Sequence, residues 1–395
     1  MLRAEIARLL GPTEAEPTPP PAEVTRGRVA ESLLPFVPYE TEAGVVLRRL
    51  VRHGPAHQVG RAGTSKALPD SHLLSLLALD PALSGQDLGR ALFFDSETTG
   101  LGGAGSVAFL LGLGSFESDG SFVLEQLLLE EPGQELALLH RLRELVDGAS
   151  ILVSYNGKSF DWPLLQGRYV MNRLPLLPLR PHLDLLHVAR RVHKRRLSRT
   201  NLRAIEEEVL GFDRGEDDIA GADIPARYGH YLRTGDAEAI LPVVHHNAWD
   251  VASMAALVGV YGEPLSALAG LDLLGVAETL GRAKDVERAL DAVSHVLEAE
   301  AAWQAAPLTD ALEVRARLHK ARGDRARALV DFEAIVADVD DERVRLELCK
   351  LYEHHAKDYG KALALLAEGT GESDEAIVRR RERLERRARG GKSRA

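Results

Sequence analysis

The stretch Phe93-Phe94-Asp95-Ser96-Glu97-Thr98-Thr99-Gly100 constrains this chain most, because an apolar run ends there in two carboxylates one residue apart. A strand presents alternate side chains to opposite faces, so Asp95 and Glu97 fall on one face at the carboxyl end of a buried strand. Two anions side by side call for a cation. Ala91 to Phe94 supply the strand before the pair, and Gly100, Gly102, Gly103 and Gly105 a flexible turn after it. Alone, such a pair is ordinarily a solvated strand end. Two further acids downstream, each in a recognisable setting, shift that balance.

The first is in Tyr155-Asn156-Gly157-Lys158-Ser159-Phe160-Asp161, where a buried strand, Ile151 to Tyr155, runs into an Asn-Gly turn. That turn sets Asp161 at the start of the next helix, close to the end of the first strand if the two strands are neighbours. An Asp at a helix start is also a common cap. The second is in Val243-Val244-His245-His246-Asn247-Ala248-Trp249-Asp250. On a helix, His246, or with slight rotation His245, shares a side with Asp250.

The pattern around these motifs predicts an α/β domain over 90–262. Strand-like runs at Ala91–Asp95, Val107–Phe116 and Phe122–Leu129 precede helices at Gln134–Val146 and Asp161–Met171, with the Ile151 strand between them. The close spacing of the first three implies antiparallel neighbours, and the set describes a mixed sheet with helices packed on it. Before it, the sequence predicts a short helix and a proline-rich linker over 1–38 and a small lobe over 39–89, with a hairpin near 41–47 and a helix over Ser71–Leu83. After residue 262, Ala- and Leu-rich helices recur. Asp324 and Asp358, Ala328 and Ala362, and Leu329 and Leu363 each stand 34 residues apart, with an earlier copy at Asp285 and Ala289. A 34-residue period of paired helices is the tetratricopeptide signature, expected here over 263–376. Residues 377–395 carry nine basic side chains against Glu382 and Glu385, which predicts a charged helix fraying into a tail.

Composition limits the function classes. One cysteine, Cys349, excludes a disulfide framework or a cysteine-rich zinc site. No apolar run approaches a membrane span, and Glu5 with the following prolines argues against a secretory signal, so a cytoplasmic protein with no membrane partner is expected. A net charge of −10 argues against binding polyanions through the whole surface. It leaves room for a local track, and Arg190, Arg191, His193, Lys194, Arg195, Arg196, Arg199 and Arg203 form one without an acid among them.

Taken in order, D-x-E, N-G-x-x-F-D and H-H-N-x-x-D resemble the motifs of DEDD-type 3′–5′ exonucleases on the ribonuclease H-like fold. The closest resemblance is to the YprB-like group, which couples such a domain to C-terminal tetratricopeptide repeats. The resemblance implies a ribonuclease H-like mixed sheet with flanking helices, followed by an all-α repeat domain. It implies two divalent cations, Mg²⁺ or Mn²⁺, held by Asp95, Glu97, Asp161 and Asp250, with a histidine as general base. His245 has the spacing of the histidine subclass and His246 the position of Tyr in the tyrosine subclass; both stay open, with spacing slightly favouring His245. Thr98, Thr99 and Leu101 match residues that lie against the terminal nucleotide in the family. Asn156, Arg195, Arg196 and Arg199 are the further candidates for nucleic-acid contacts. Asp184, in Pro181–Leu186, is expected to act as a hydrogen-bonding residue rather than a ligand. The expected substrate is a single-stranded 3′ end of DNA or RNA, with a protein partner possible on the repeats. The alternative is a nuclease-fold adaptor with little cleavage, working through its repeats.

Overall fold

The computed structural model describes residues 34–68, 71–100, 105–215, 218–262, 268–298 and 306–392. The N-terminal helix, the proline-rich linker up to residue 33 and Leu101 lie outside them. The chain forms two compact units. One holds the residues up to Arg190 with those from Arg199 to Glu263, the other Arg191–Ser198 with the residues from Pro264 onward.

In the first unit the run Ala91–Thr98 is strand β5 of a seven-stranded sheet ordered β1-β2-β7-β6-β5-β8-β9. Its apolar half is sealed on both faces, as an uninterrupted apolar run requires, with Phe93 and Phe94 buried. Antiparallel β6 (Ala108–Phe116) sets Gly112 opposite Asp95, and β7 (Phe122–Leu128) pairs antiparallel with β6. On the other side, β8 (Ile151–Ser154) and β9 (His182–Asp184) run parallel. The mixed sheet expected from the sequence is therefore present, and it is wider than expected. Strands β1 (Val37–Thr41) and β2 (Gly44–His53) join it through β7, with Arg49 opposite Gln126, so the hairpin expected in a separate lobe extends the central sheet. Beside it, β3 (Gln58–Val59) and β4 (Ala62–Gly63) form a two-stranded ribbon.

The helices of this unit are α1 (Ser71–Ala78), α2 (Glu135–Gly148), α3 (Asp161–Met171), α4 (Leu185–His193), α5 (Leu202–Ile205, widening into a turn over Glu206–Leu210), α6 (Ile224–Thr234) and α7 (Ala237–Val260). Helix α1 stops before the expected Leu83, because Leu79 adopts a left-handed φ of 55° and Asp80 caps a new turn. Helix α7, capped by Asp236, positions the third motif. It lies directly on β6, where a Cβ at Gly112 would stand 2.3 Å from Asn247 Oδ1 and 2.8 Å from Val251 Cγ2. Gly112→Val is expected to cost about 1–3 kcal/mol in denaturant unfolding, by overpacking a contact that cannot give. An unchanged midpoint would show that α7 can lift off the sheet.

The second unit is helical: α8 (Gly270–Arg282), α9 (Val286–Glu298), α10 (Ala306–Arg322), α11 (Arg325–Asp338), α12 (Glu342–Leu351), α13 (Tyr359–Glu368) and α14 (Asp374–Lys392). The repeated residues have a physical reason. Asp285, Asp324 and Asp358 each accept a backbone N–H three residues on, and Ala289, Ala328 and Ala362 are fully buried where a larger side chain would hold neighbouring helices apart. The basic C-terminal segment is helical as far as Lys392, as expected, and the residues beyond it lie outside the described ones. Leu384 is buried, and Arg380, Arg383 and Arg387 converge on the fully buried Glu353.

Candidate active site

The carboxylates far apart in sequence meet at the carboxyl end of β5. Asp95 and Glu97 share a face there, and a register irregularity at Glu97/Thr98 closes the strand, as bulges beside active sites often do. Asp161 stands at the first position of α3 and accepts a hydrogen bond from Ser96 Oγ. The turn before it is tightly held. Asn156 takes a φ of 68°, and a Cβ on Gly157 would fall 2.4 Å from Ser154 Oγ. Buried Asp184 accepts the backbone N–H groups of Asn156 (2.8 Å), Lys158 (3.2 Å) and Leu186 (3.1 Å), so its carboxylate positions the turn.

From α7, one turn brings His246 and Asp250 to the same side. Donor atoms of Glu97, His246 and Asp250 lie within 4.8 Å of one another, a spacing that a single cation could span. His246 Nδ1 is 2.6 Å from Asp218 Oδ1, and its Nε2 is 3.7 Å from Asp250 Oδ2. His245 falls elsewhere, 6.1 Å from the Trp249 ring in a separate cavity with His53 and His57. Successive residues on a helix are about 100° apart, so only one of the two can face Asp250.

Mutual repulsion and burial show in the protonation equilibria. Burial, then the charges of Asp250, Glu97 and Asp161, push Asp95 well above the ordinary carboxylate range, against one hydrogen bond from Asn247. Burial, with Asp250 and Asp161, raises Glu97 to about 8. Asp161 is raised by burial against its bond from Ser96. Such a donor set, hard oxygens with one imidazole and surplus negative charge, fits divalent cations. Unfolded Glu97 releases its proton near 4.5 but folded Glu97 keeps it to about 8, so its contribution is complete below 4.5 and is lost as pH rises through 8. Without divalent ions the melting temperature is therefore expected to fall between about pH 5 and about pH 8, and Mn²⁺ to restore it most at the upper end. A melting temperature indifferent to Mn²⁺ across that range would contradict a cation site here.

Several partners of these residues were not legible in the motifs. Arg214, nearly fully buried, donates to Glu206 (2.7 Å to each oxygen), reaches Asp250, lies 3.2 Å from His246 Nδ1 and sits 5.7 Å over the Trp249 ring. Despite its burial, Asp218 is held below the ordinary range by its hydrogen bond with His246 and by Arg214. A chain of hydrogen bonds also approaches from behind. Arg49 Nη1 donates to Gln126 Oε1 (2.6 Å), Gln126 Nε2 to Asn247 Oδ1 (2.9 Å), and Asn247 Nδ2 to Asp95 Oδ2 (2.9 Å). Asn247 is in the third motif, but its place beside histidines gives no sign of this role.

Asp95, Ser96, Thr98 and Asp161 line one end of a cleft of about 760 Å³ whose walls include Phe160, Leu164, Val170 and Met171. Thr98 Oγ1 donates to the Gly100 carbonyl, and buried Thr99 Oγ1 accepts the Val107 N–H, which fastens the strand end. Asn156 lines a second opening with Tyr155, Arg190 and Arg199. The other two arginines expected at phosphates are engaged within the helical unit. Arg195 binds Glu278 (2.8 Å) and Asp310 (2.6 Å), and Arg196 binds Asp272 (2.7 Å). The single-signed run in sequence is thus compensated by acids distant in the chain.

Among the described residues, no helix is long and apolar enough to cross a membrane. The family model described as the RNase_H superfamily matches residues 92–261. The chain is 31% identical over 359 residues to the uncharacterized protein YprB of Bacillus subtilis (strain 168), covering 87% of this chain and 84% of that protein. Among solved structures, the family B DNA polymerase of the hyperthermophilic archaeon Pyrobaculum calidifontis matches at 17% identity and a TM-score of 0.34, over 59% of this chain and 29% of the polymerase. The chain spans under a third of the polymerase's length. The motif order, the mixed sheet and the sequence identity agree: the chain belongs to the YprB family, and its central domain to the RNase_H superfamily.

Proposed function

We propose that the central domain is a 3′–5′ exonuclease that hydrolyses phosphodiester bonds of DNA or RNA with two divalent cations, Mg²⁺ or Mn²⁺. The observation that carries this reading is the convergence of Asp95, Glu97, Asp161 and Asp250, of which Asp95 and Asp161 line one end of an open cleft, with more negative charge than Arg214 alone offsets. Asp95, Glu97, Asp161 and Asp250 would hold the ions. The chemistry such ions supply is a nucleophilic water at neutral pH and stabilisation of the leaving oxygen. Asp218, on His246 Nδ1, leaves Nε2 directed to the Asp250 side, so His246 rather than His245 is the general base in this reading. Thr98 and the apolar cleft wall would receive the terminal sugar and base. Arg199, with Asn156 and Arg190 beside it, would meet a phosphate further along the strand.

The adaptor reading draws on one observation, the guanidinium of Arg214 already bound to Asp250. The test is incubation of the protein with single strands labelled at the 5′ end, with Mn²⁺ or Mg²⁺. A ladder of stepwise shortening from the 3′ end is expected. Binding without cleavage would favour the adaptor, and early internal products would overturn the exonuclease assignment.

A further inference from the structure

Behind α7, away from the carboxylates, a separate cavity of about 230 Å³ is lined by Arg49, His53, His57, Gln58, His245 and Trp249, with an apolar wall that includes Leu124 and Val59. By the same measure a single water needs only about 10–15 Å³, so the space admits a small molecule. Its charge is one-sided: no Asp or Glu lines it, and no carboxylate pairs with Arg49 among the described residues. Among the described residues, the one side-chain hydrogen-bond acceptor that Arg49 has is the neutral Gln126 amide.

The two imidazoles beside the Arg49 guanidinium are held together rather than let apart. His53 and His57 stack with ring centroids 4.0 Å apart, and neither ring nitrogen has a hydrogen-bond partner among the described residues. The turn that carries His57 is pinned. The His57 N–H donates to the Gly54 carbonyl, and the Arg61 N–H to that of Leu210 (2.8 Å). At Gly60, with φ +58°, a Cβ would stand 2.1 Å from that same Leu210 oxygen. The cost of the arrangement is visible. Burial, then the neighbouring His57 and Arg49, lower His53 to about 4, and burial lowers Arg49.

We propose that this cavity is a binding site for a phosphate-bearing anion, with Arg49, His53 and His57 as its donors and Trp249 at its wall. A guanidinium among the imidazoles repels a divalent cation and attracts an anion. The histidine nitrogens also lack the mutual spacing of a metal site, which among the described residues is met by Glu97, His246 and Asp250. Several N–H donors around one space match the many acceptor oxygens of phosphate better than the two of a carboxylate. The source is inorganic phosphate or a nucleoside monophosphate, whose base would use the apolar wall.

The test uses the full chain in EDTA, so that no divalent ion can draw phosphate to the carboxylates. Inorganic phosphate and adenosine 5′-monophosphate are titrated by calorimetry and by the change in tryptophan fluorescence. Saturable binding is expected, with the fluorescence change lost in Trp249→Phe. Arg49→Gln is expected to weaken binding about tenfold or more, the loss of one charge-assisted hydrogen bond. His57→Asn, which leaves the Gln126 contact intact, should weaken it in the same direction, and Arg52→Gln, on the exposed face of the same strand, should leave it unchanged. Tighter binding of the nucleotide assigns the apolar wall to a nucleoside; equal affinities confine recognition to the phosphate. No saturable signal with either anion, or equal affinity in the Arg49, His57 and Arg52 variants, would overturn the proposal.

Discussion

Asp95→Asn is expected to reduce divalent-dependent cleavage by about a hundred- to a thousandfold or more, the scale seen when one preorganised electrostatic group is removed. It should also leave the metal-free protein at least as resistant to heat as the parent. Both effects come from one fact. Asp95 is the acid on which burial and the charges of Asp250, Glu97 and Asp161 bear together. Asparagine keeps the shape and keeps an oxygen for the Asn247 amide, but it removes the charge that the other three repel. The measurements are the 3′-end assay with Mn²⁺ and thermal melting in EDTA. Full activity in Asp95→Asn would mean that the carboxylates do not form the reacting centre. Lower heat resistance without metal would mean that their repulsion is relieved by some group other than a bound ion.

The second large effect concerns Arg214. Arg214→Met is expected to destabilise the fold by about 3–5 kcal/mol, because it leaves buried carboxylates without their cation. Glu206 is fully buried and Asp218 nearly so, and both rely on that guanidinium, as does Asp250. Methionine fills much of the volume, so the loss reads charge rather than cavity. Adding Glu206→Gln should recover part of it, since one of the stranded charges is then gone, and the non-additivity measures the pair. Mn²⁺ should stabilise Arg214→Met more than the parent, because Asp250 then has an oxygen free to share. If the single variant unfolds at the parent's denaturant concentration, the network is an arrangement of the surface without weight in folding.

Much of this was legible because the relevant periods are short. Asp95 and Glu97 need only the two-residue repeat of a strand, and Asp161 only an Asn-Gly turn feeding a helix. The capping aspartates and buried alanines of the helical unit follow from a repeat visible in the sequence. What escaped depends on contacts between distant residues. Arg195 and Arg196 look free in a run with no acid, yet their partners Glu278, Asp310 and Asp272 lie in helices far along the chain. Arg214 sits in a short stretch with Asp213, Glu216 and Asp217, which reads as a solvated loop. Which of His245 and His246 shares a side with Asp250 is a rotation of one residue about α7, and the sequence leaves that rotation open. That β2 would find β7 was equally hidden, since the two strands are about seventy residues apart and alternation alone does not name a distant partner.

The chain of contacts from Arg49 to Asp95 has one more implication. A guanidinium can only give protons, so the oxygen of Gln126 must turn toward it, and each amide in line must then face forward with its nitrogen. Neither side chain is free to flip, and the message delivered at Asp95 is always an N–H. That oxygen is thereby kept as a lone-pair donor even where its surroundings favour a proton, so a residue three strands away in the sheet fixes which way the Asp95 carboxylate is wired.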